Sequence, residues 1–400
     1  MISSQEVRKL LLLTLLITAA VGFATTQPAA QPPHIVEMAG SRHILMRWSD
    51  GTVSGMGDNR VGQLGQPRTA SLTFEAPVRI ALPGKAIQVM ASNQTSYAVL
   101  EDGTVWAWGF GRNGELGVRL TGAEHRHVPG KVSGLSDVVG ISAKEHEAMA
   151  VLADGSVRAW GQPPAAIAGG RRVDIGIHAP FVVQGLSDIV RIDSGSRHGL
   201  ALTRDGRLMA WGQNTLGQLG LGRVSKLETP TEIPSLTNVV SMARVVGSGV
   251  AVTGDGRVWT WGHNGQAGLG NGERADTMDP GQPDPKPVAG ITDAVEVKVG
   301  SDMGRQIIVR RRNGSLIAWG NTDWGQLGTG GVAFQPRPTP ITLANVAGYW
   351  PFGIQTFART NDGAMWFWGD DFTGLALTGV KRNQRAPVRV PLEKFRPATQ

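Results

Sequence analysis

A chain of 400 residues without cysteine can hold no disulfide, no cysteine-based zinc site and no thiol nucleophile. Glycine supplies 55 residues, about twice the usual ~7%, with no Gly-X-Y triplet, which excludes a collagen-like helix and favours many tight turns between short strands. The net charge of +7 suits either an anionic partner or a well-solvated basic surface.

Arg8 and Lys9 precede an apolar run from Leu10 to Ala24, interrupted only by Thr14, Thr18 and Gly22. This is shorter than the ~20 residues that span a bilayer as a helix. A basic start, a short apolar run and the small residues Gly22 and Ala24 predict a secretory signal peptide over 1–24, with an uncleaved anchor as the alternative. A flexible leader over 25–34 then reaches the folded part. No later segment is apolar enough to span a membrane. The expected localisation is secreted or periplasmic.

From residue 35 one unit recurs. Asp50-Gly51, Asp102-Gly103, Asp154-Gly155, Asp205-Gly206, Asp255-Gly256, Asn313-Gly314 and Asp362-Gly363 follow one another at spacings of 52, 52, 51, 50, 58 and 49. Asp-Gly and Asn-Gly are hairpin signals, and type I′ turns are the expectation. Five residues after each turn glycine stands Met56, Trp108, Trp160, Trp211, Trp261, Trp319 or Trp368, always followed by glycine. Alternation between turn and tryptophan (Val105 and Ala107, Leu208 and Ala210) predicts a strand. A second strand ends before each turn, and another follows prolines such as Pro77, Pro129, Pro180, Pro340 and Pro387. Each unit thus has three or four antiparallel strands. None can bury both its faces alone, so seven must stack around an axis, in an all-β, seven-bladed β-propeller.

The runs Trp211-Gly-Gln-Asn-Thr-Leu-Gly-Gln-Leu-Gly220 and Trp319-Gly-Asn-Thr-Asp-Trp-Gly-Gln-Leu-Gly328, with Gly195-Ser-Arg-His-Gly-Leu-Ala-Leu202, resemble the repeat of the regulator of chromosome condensation family. The resemblance covers roughly residues 35–392. Met56 replaces the first tryptophan, the third unit has Gln162-Pro163-Pro164 where the others turn, and the seventh reads Gly374-Leu-Ala-Leu377. The family's histidine survives as His43 and His198, and Thr95, Glu147, Ser248, Gln306 and Gln355 fill the other slots. A structural hydrogen bond inside each blade is the expectation for this position. The propeller is assigned to 35–392 and a tail to 393–400. Val388 to Val390 are expected to pair into the blade containing Met38 to Val53, closing the ring by exchange of terminal strands.

Gly109-Phe-Gly-Arg-Asn-Gly114 matches a dinucleotide fingerprint, but the repeat's own turn follows it instead of a helix. His125-Arg126-His127 lacks further metal ligands and reads as a basic loop. No cofactor, metal or catalytic residue is expected. Arg310-Arg311-Arg312 reads as solvated charge. The loops after Trp-Gly fall on one face, and their varying positions mix aromatics and arginine, chemistry enriched at binding hot spots. Arg60, Phe110, Arg112, His263, Asp323, Trp324 and Phe372 are the candidate partner-binding residues. The resemblance implies a choice among a nucleotide-exchange factor for a small GTPase, a ligase-associated module and a secreted inhibitor. The leader favours an exported, monomeric, non-enzymatic protein-binding scaffold, such as an inhibitor or adhesin, with nucleic acid not expected. An exchange-factor-like regulator and a binder of anionic polymer or carbohydrate are the alternatives.

Overall fold

In the computed structural model the described residues are 32–397, apart from 41, 68–71, 120–123, 170, 172–175, 196, 266–267, 274–280, 301–304, 332–333, 372–373 and 375–381. The signal-peptide assignment, Phe372 and most of the seventh loop lie outside them. Twenty-eight strands form seven four-stranded antiparallel sheets, each from one continuous stretch of chain. Blade 1 (residues 35–80) runs Ile35–Gly40, His43–Trp48, Val53–Asp58, Thr73–Ile80. Blades 2 to 7 span 86–131, 138–182, 189–232, 239–287, 294–341 and 346–390. The first strand of each blade touches the first strands of its neighbours, so these seven surround the axis and the fourth strands lie outermost. The prolines sit within the outermost strands, for example Pro77 in Thr73–Ile80, where one edge needs no donors.

The Asp-Gly turns join second to third strands. They differ from the expected type: Gly51 has φ +83, but Asp50 is not among the residues of positive φ. The Gly51 amide bonds the Trp48 carbonyl at 2.9 Å, which is a type I turn followed by a left-handed glycine. Asp50 Oδ1 holds the turn by accepting from the Thr52 amide at 3.0 Å. These hairpins and the connections between blades share one end of the disc, here the turn face. The loops after Trp-Gly and the turns between first and second strands share the opposite end, the loop face. The glycine after each tryptophan has φ between +81 and +109. At Gly109 a Cβ would also collide with the Gln94 carbonyl oxygen.

Among the described residues no strand of one blade pairs with a strand of another; single backbone bonds, such as the Ala86 amide to the Gly51 carbonyl at 2.9 Å, and side chains join the blades. Six tryptophans of the repeat are wholly buried at the seams. The indole N–H of Trp108 donates to the Gln63 carbonyl of the preceding loop at 2.9 Å, Trp160 to Glu115 at 2.8 Å, and Trp261 to Gln218 at 3.0 Å. Trp319 donates to Gly268 at 3.1 Å and Trp368 to Gln326 at 3.1 Å. Trp211 faces the loop that has lost the turn to Pro163-Pro164, and its N–H finds no acceptor among the described residues. Near the axis a second set of bonds runs from each blade to the backbone of the next. Glu37 accepts from the Val89 amide (3.1 Å), Gln88 from Ile141 (2.8 Å), Ser142 from Ser194 (3.0 Å), Asp193 from Arg244 (2.8 Å) and Ser241 from Val297 (3.1 Å). Lys298 Nζ donates to the Tyr349 carbonyl at 3.0 Å.

The seam between blades 7 and 1 is different. The expected strand exchange is absent: Val388 and Val390 pair with Phe367 and Met365 inside blade 7. Each blade runs from axis to rim in one stretch, so among the described residues no strand is left over. Closure is apolar. Met38, Met46 and Met56 meet Trp350, Phe352, Phe357 and Phe367, and the Phe352 ring lies directly on Gly40. The ring extends into the assigned tail: a 3-10 turn, Leu392–Phe395, buries Phe395 completely against Phe357 at a centroid distance of 5.8 Å.

Two outcomes follow from the seams. Trp319→Phe strands the Gly268 carbonyl, whereas Trp211→Phe removes an N–H that has no acceptor among the described residues, so chemical denaturation should show the first costing ~1–2 kcal/mol more than the second. Phe395→Ala should cost ~3–5 kcal/mol, as large-to-small core changes do, and lower the single melting transition of the whole domain instead of releasing blade 7 alone.

Candidate functional site

The repeat fixes where each loop leaves the disc, and residues between Trp-Gly and the following strand are free to differ. All the described candidates emerge on the loop face. Arg60 grips Asp58 with contacts of 3.0, 3.1 and 2.7 Å, and its guanidinium stays about half exposed (56%). Burial opposes the Asp58 charge, but the Arg60 bonds win and hold its carboxyl below the ordinary range. Arg112, 68% exposed, makes a loose 3.5 Å pair with Glu124. His263 accepts from the Gly265 amide through Nδ1 at 3.0 Å. Asp323 and Trp324 stand together on the blade 6 loop, their amides held by Asn321 Oδ1 at 2.8 Å and Gln326 Oε1 at 2.9 Å. Trp324 is 44% exposed, the most exposed of the twelve tryptophans.

These residues do not converge on one pocket. Blades 1 and 7 separate Phe110 from Trp324 on one side of the ring and blades 3 to 5 on the other. Phe110 instead anchors a cluster that the repeat did not disclose. Its ring lies 5.7 Å from His125 and 6.2 Å from His146, and His125 lies 6.5 Å from His127. His125 and His127 belong to a strand, His125–Lys131, not to the basic loop expected, because the outermost strand of blade 2 begins there. His146 Nδ1 meets the buried carboxylate of Glu115 at 2.6 Å, and that bond raises the His146 pKa above its ordinary value. No sequence signal places His146 beside Phe110, since it comes from the first turn of the next blade.

The seven-membered polar slot does not act as one device. Thr95 and Gln355 bond inside their blades, to the Phe110 carbonyl at 2.8 Å and the Asp370 carbonyl at 2.7 Å, as expected. His43 and Gln306 instead reach the next blade, to Ser96 Oγ at 2.6 Å and the Gly353 carbonyl at 3.2 Å. Burial lowers His43 to about 4 and pushes His198 well below the usual histidine range, so both are neutral. Glu147 is wholly buried, and burial raises its carboxyl to about 8 against the pull of Ser194 and Arg244. The arginine run is partly paired: Arg310 with Glu296 at 3.1 Å and Arg311 with Asp293 at 2.8 Å. Among the described residues no group of three or more His, Asp or Glu is arranged to hold a metal ion. No helix among them is long and apolar enough to cross a membrane.

The family model for the RCC1-like domain matches residues 19–351. The chain belongs to the RCC1-like domain family. It is 31% identical over 211 residues to protein pim1 of Schizosaccharomyces pombe, covering 48% of this chain and 39% of that one. It is 27% identical over 358 residues to the human E3 ubiquitin-protein ligase HERC2, covering 86% of this chain and 7% of that one. The chain thus spans less than half the length of these relatives. Prp20p of Saccharomyces cerevisiae, whose crystal structure was described with its binding to Gsp1p and histones, superposes with a TM-score of 0.71 at 21% identity, covering 84% of this chain and 85% of that one. This last likeness bears on the fold alone.

The buried carboxyl gives this RCC1-like propeller a pH signature. Glu147 binds its proton more tightly folded than unfolded. Stability is therefore full below the ordinary carboxylate pKa and falls as pH rises toward about 8. Glu147→Gln removes that dependence. Its melting temperature relative to the native protein should rise between pH 5 and pH 8, by an amount worth several kcal/mol at most.

Proposed function

We propose that this RCC1-like propeller is an exported, non-enzymatic scaffold that binds another protein through its loop face, acting as an inhibitor or an adhesin. The supporting observation is Trp324, an indole held out at 44% exposure by a backbone clamp to Gln326 while six repeat tryptophans are buried. Exposed aromatic and arginine side chains on rigid loops are the chemistry of binding hot spots. Phe110 with its histidines and Arg60 with Asp58 supply two further contact regions on the same face. The apolar run Leu10 to Ala24 after Arg8-Lys9 supports export.

The test is a pull-down from the source's envelope or medium, with the partner's affinity then measured for single variants. Trp324→Ala should cost ~2 kcal/mol or more if this indole is a hot spot. Unchanged affinity in a folded variant lacking both Trp324 and Phe110 would remove the loop face from consideration. N-terminal sequencing of the mature protein tests export, which an intact Met1 in soluble cytoplasm would sink. A second reading, regulation of a small GTPase by nucleotide exchange, rests on membership of the RCC1-like domain family and on the exchange activity that the repeat's resemblance implies. Accelerated nucleotide release from such a GTPase would support it.

A further inference from the structure

The net charge of +7 is not spread evenly over the disc. The first two strands of each blade, with the turn between them, form its innermost hairpin. The seven hairpins together hold eleven lysines and arginines against six aspartates and glutamates. On the loop face the last residue of that turn is Arg42, His146, Arg197 and Arg305 in blades 1, 3, 4 and 6, and in no blade is it Asp or Glu. The His146 and Arg197 carbonyls accept from the Gln162 and Gln213 amides at 2.8 and 2.7 Å, which pins these turns to the roots of the neighbouring loops. Arg197 is exposed and makes no ion pair among the described residues.

Blades 3 to 5 make this end of the axis basic. Lys144, Arg197 and Arg244 belong to their inner hairpins, with His146, whose bond to Glu115 favours its charged form. The carboxylates there are largely engaged. Glu115 is taken up by His146, and Asp193 accepts from the Arg244 amide at 2.8 Å. Glu147 is wholly buried, and with its carboxyl raised to about 8 it holds a proton at neutral pH. Glu145 is exposed beside Lys144. The residues that follow Trp-Gly in these blades, 162–169, 213–222 and 263–272, include no Asp or Glu. Asp58, Asp323 and Asp370 lie in blades 1, 6 and 7, and Glu124, in blade 2, faces Arg112. The buried His198 registers the field: Arg244 and Lys144 add to burial in holding it neutral. Such a sector attracts carboxylates. Phe110, its ring 6.2 Å from His146, sets an apolar contact at the sector's edge. Cations gathered round a centre beside an aromatic ring suit a short acidic peptide segment. Building on the loop-face reading, we infer that the end of the axis in blades 3 to 5 takes an acidic segment of the bound protein. Its carboxylates meet Arg197, Lys144 and His146, and an apolar side chain next to them packs on Phe110.

The probe is a fluorescent peptide, Glu-Asp-Glu-Gly-Leu-Phe-Gly, titrated with the full chain and followed by anisotropy. Its counterpart has lysine at every acidic position. The acidic peptide should bind one per chain and the lysine peptide should not. Arg197→Gln with Lys144→Gln should weaken binding about tenfold or more and flatten its salt dependence. Arg204→Gln with Lys226→Gln removes the same charge from exposed positions on the turn face and the outermost strand of blade 4. That pair should leave affinity within about twofold. No binding of the acidic peptide, equal binding of both peptides, or an equal loss in the two folded double variants would overturn the inference. Polyphosphate that binds more tightly than the peptide and displaces it would assign these cations to an anionic polymer and overturn it equally. Trp324 lies outside this sector and separates the two readings. Partner binding that is lost with Trp324→Ala but indifferent to Arg197→Gln with Lys144→Gln would keep the loop face and remove the acidic segment.

Discussion

A tryptophan N–H donating to a carbonyl of the preceding loop is the contact on which the rest of the ring depends. Sheets that share no strand are joined by isolated backbone bonds, such as the Ala86 amide to the Gly51 carbonyl, and otherwise recognise one another through side chains. A single indole fills the seam, as its complete burial shows, and also fixes the neighbour's loop through one bond of about 3 Å. The Leu-Gly step of that loop is locked in the same act: Gly220 lies under Trp261 and Gly270 under Trp319, both left-handed and with no room for a Cβ that does not press on the indole. The signature of the repeat is therefore written by two blades at once. The tryptophan of one and the Gly-Gln-Leu-Gly of the other are the halves of a single contact.

Where one half is missing the seam is rebuilt, in two ways. Between blades 3 and 4 the loop half is gone, and Trp211 keeps its packing but finds no acceptor among the described residues. The bonds nearer the axis, Ser142 to Ser194 among them, still join these blades. Between blades 7 and 1 the tryptophan half is gone. Met56 has no N–H to give, and none of the axial side-chain bonds that serve the other seams is seen there among the described residues. An aromatic cluster completed by Phe395 replaces both. Apolar packing has loose directional demands. It suits the one seam that the chain's two ends must find across the full length of the domain.

The turn and tryptophan spacings made the blade count readable, because each marks a fixed point of a period-two strand. The closure was misread for a local reason. Pro387 reads as the start of a spare strand only if each proline-led segment is credited to the unit that follows it. The register of Val388 opposite Phe367 shows that each is the last strand of its own blade. The hairpin type was misread because Asp-Gly serves both a type I′ turn and a type I turn with a left-handed glycine, and only the sign of φ at Asp50 separates them. Arg60, Arg112 and Trp324 were legible as loop residues, but the Phe110–His125–His146 cluster was not. It joins the third and fourth strands of blade 2 to the first turn of blade 3, and no period in the sequence connects them.

The two faces carry different freedoms for the same reason. On the loop face the Gly-Gln-Leu-Gly part of each loop, where present, is spent on the seam, so variation falls before it, where Trp324 and Arg60 stand, and after it, where the stretch to the fourth strand runs from Gly220 to Ser225 in blade 4 but from Gly270 to Gln282 in blade 5. On the turn face the hairpins and the links between blades are short and alike: Asp137, Asp188, Asn238 and Asn345 all adopt left-handed φ near +55 in equivalent links. Variation there can enter only through side-chain chemistry, not through loop length. A loop face of that kind can fit a partner by shape.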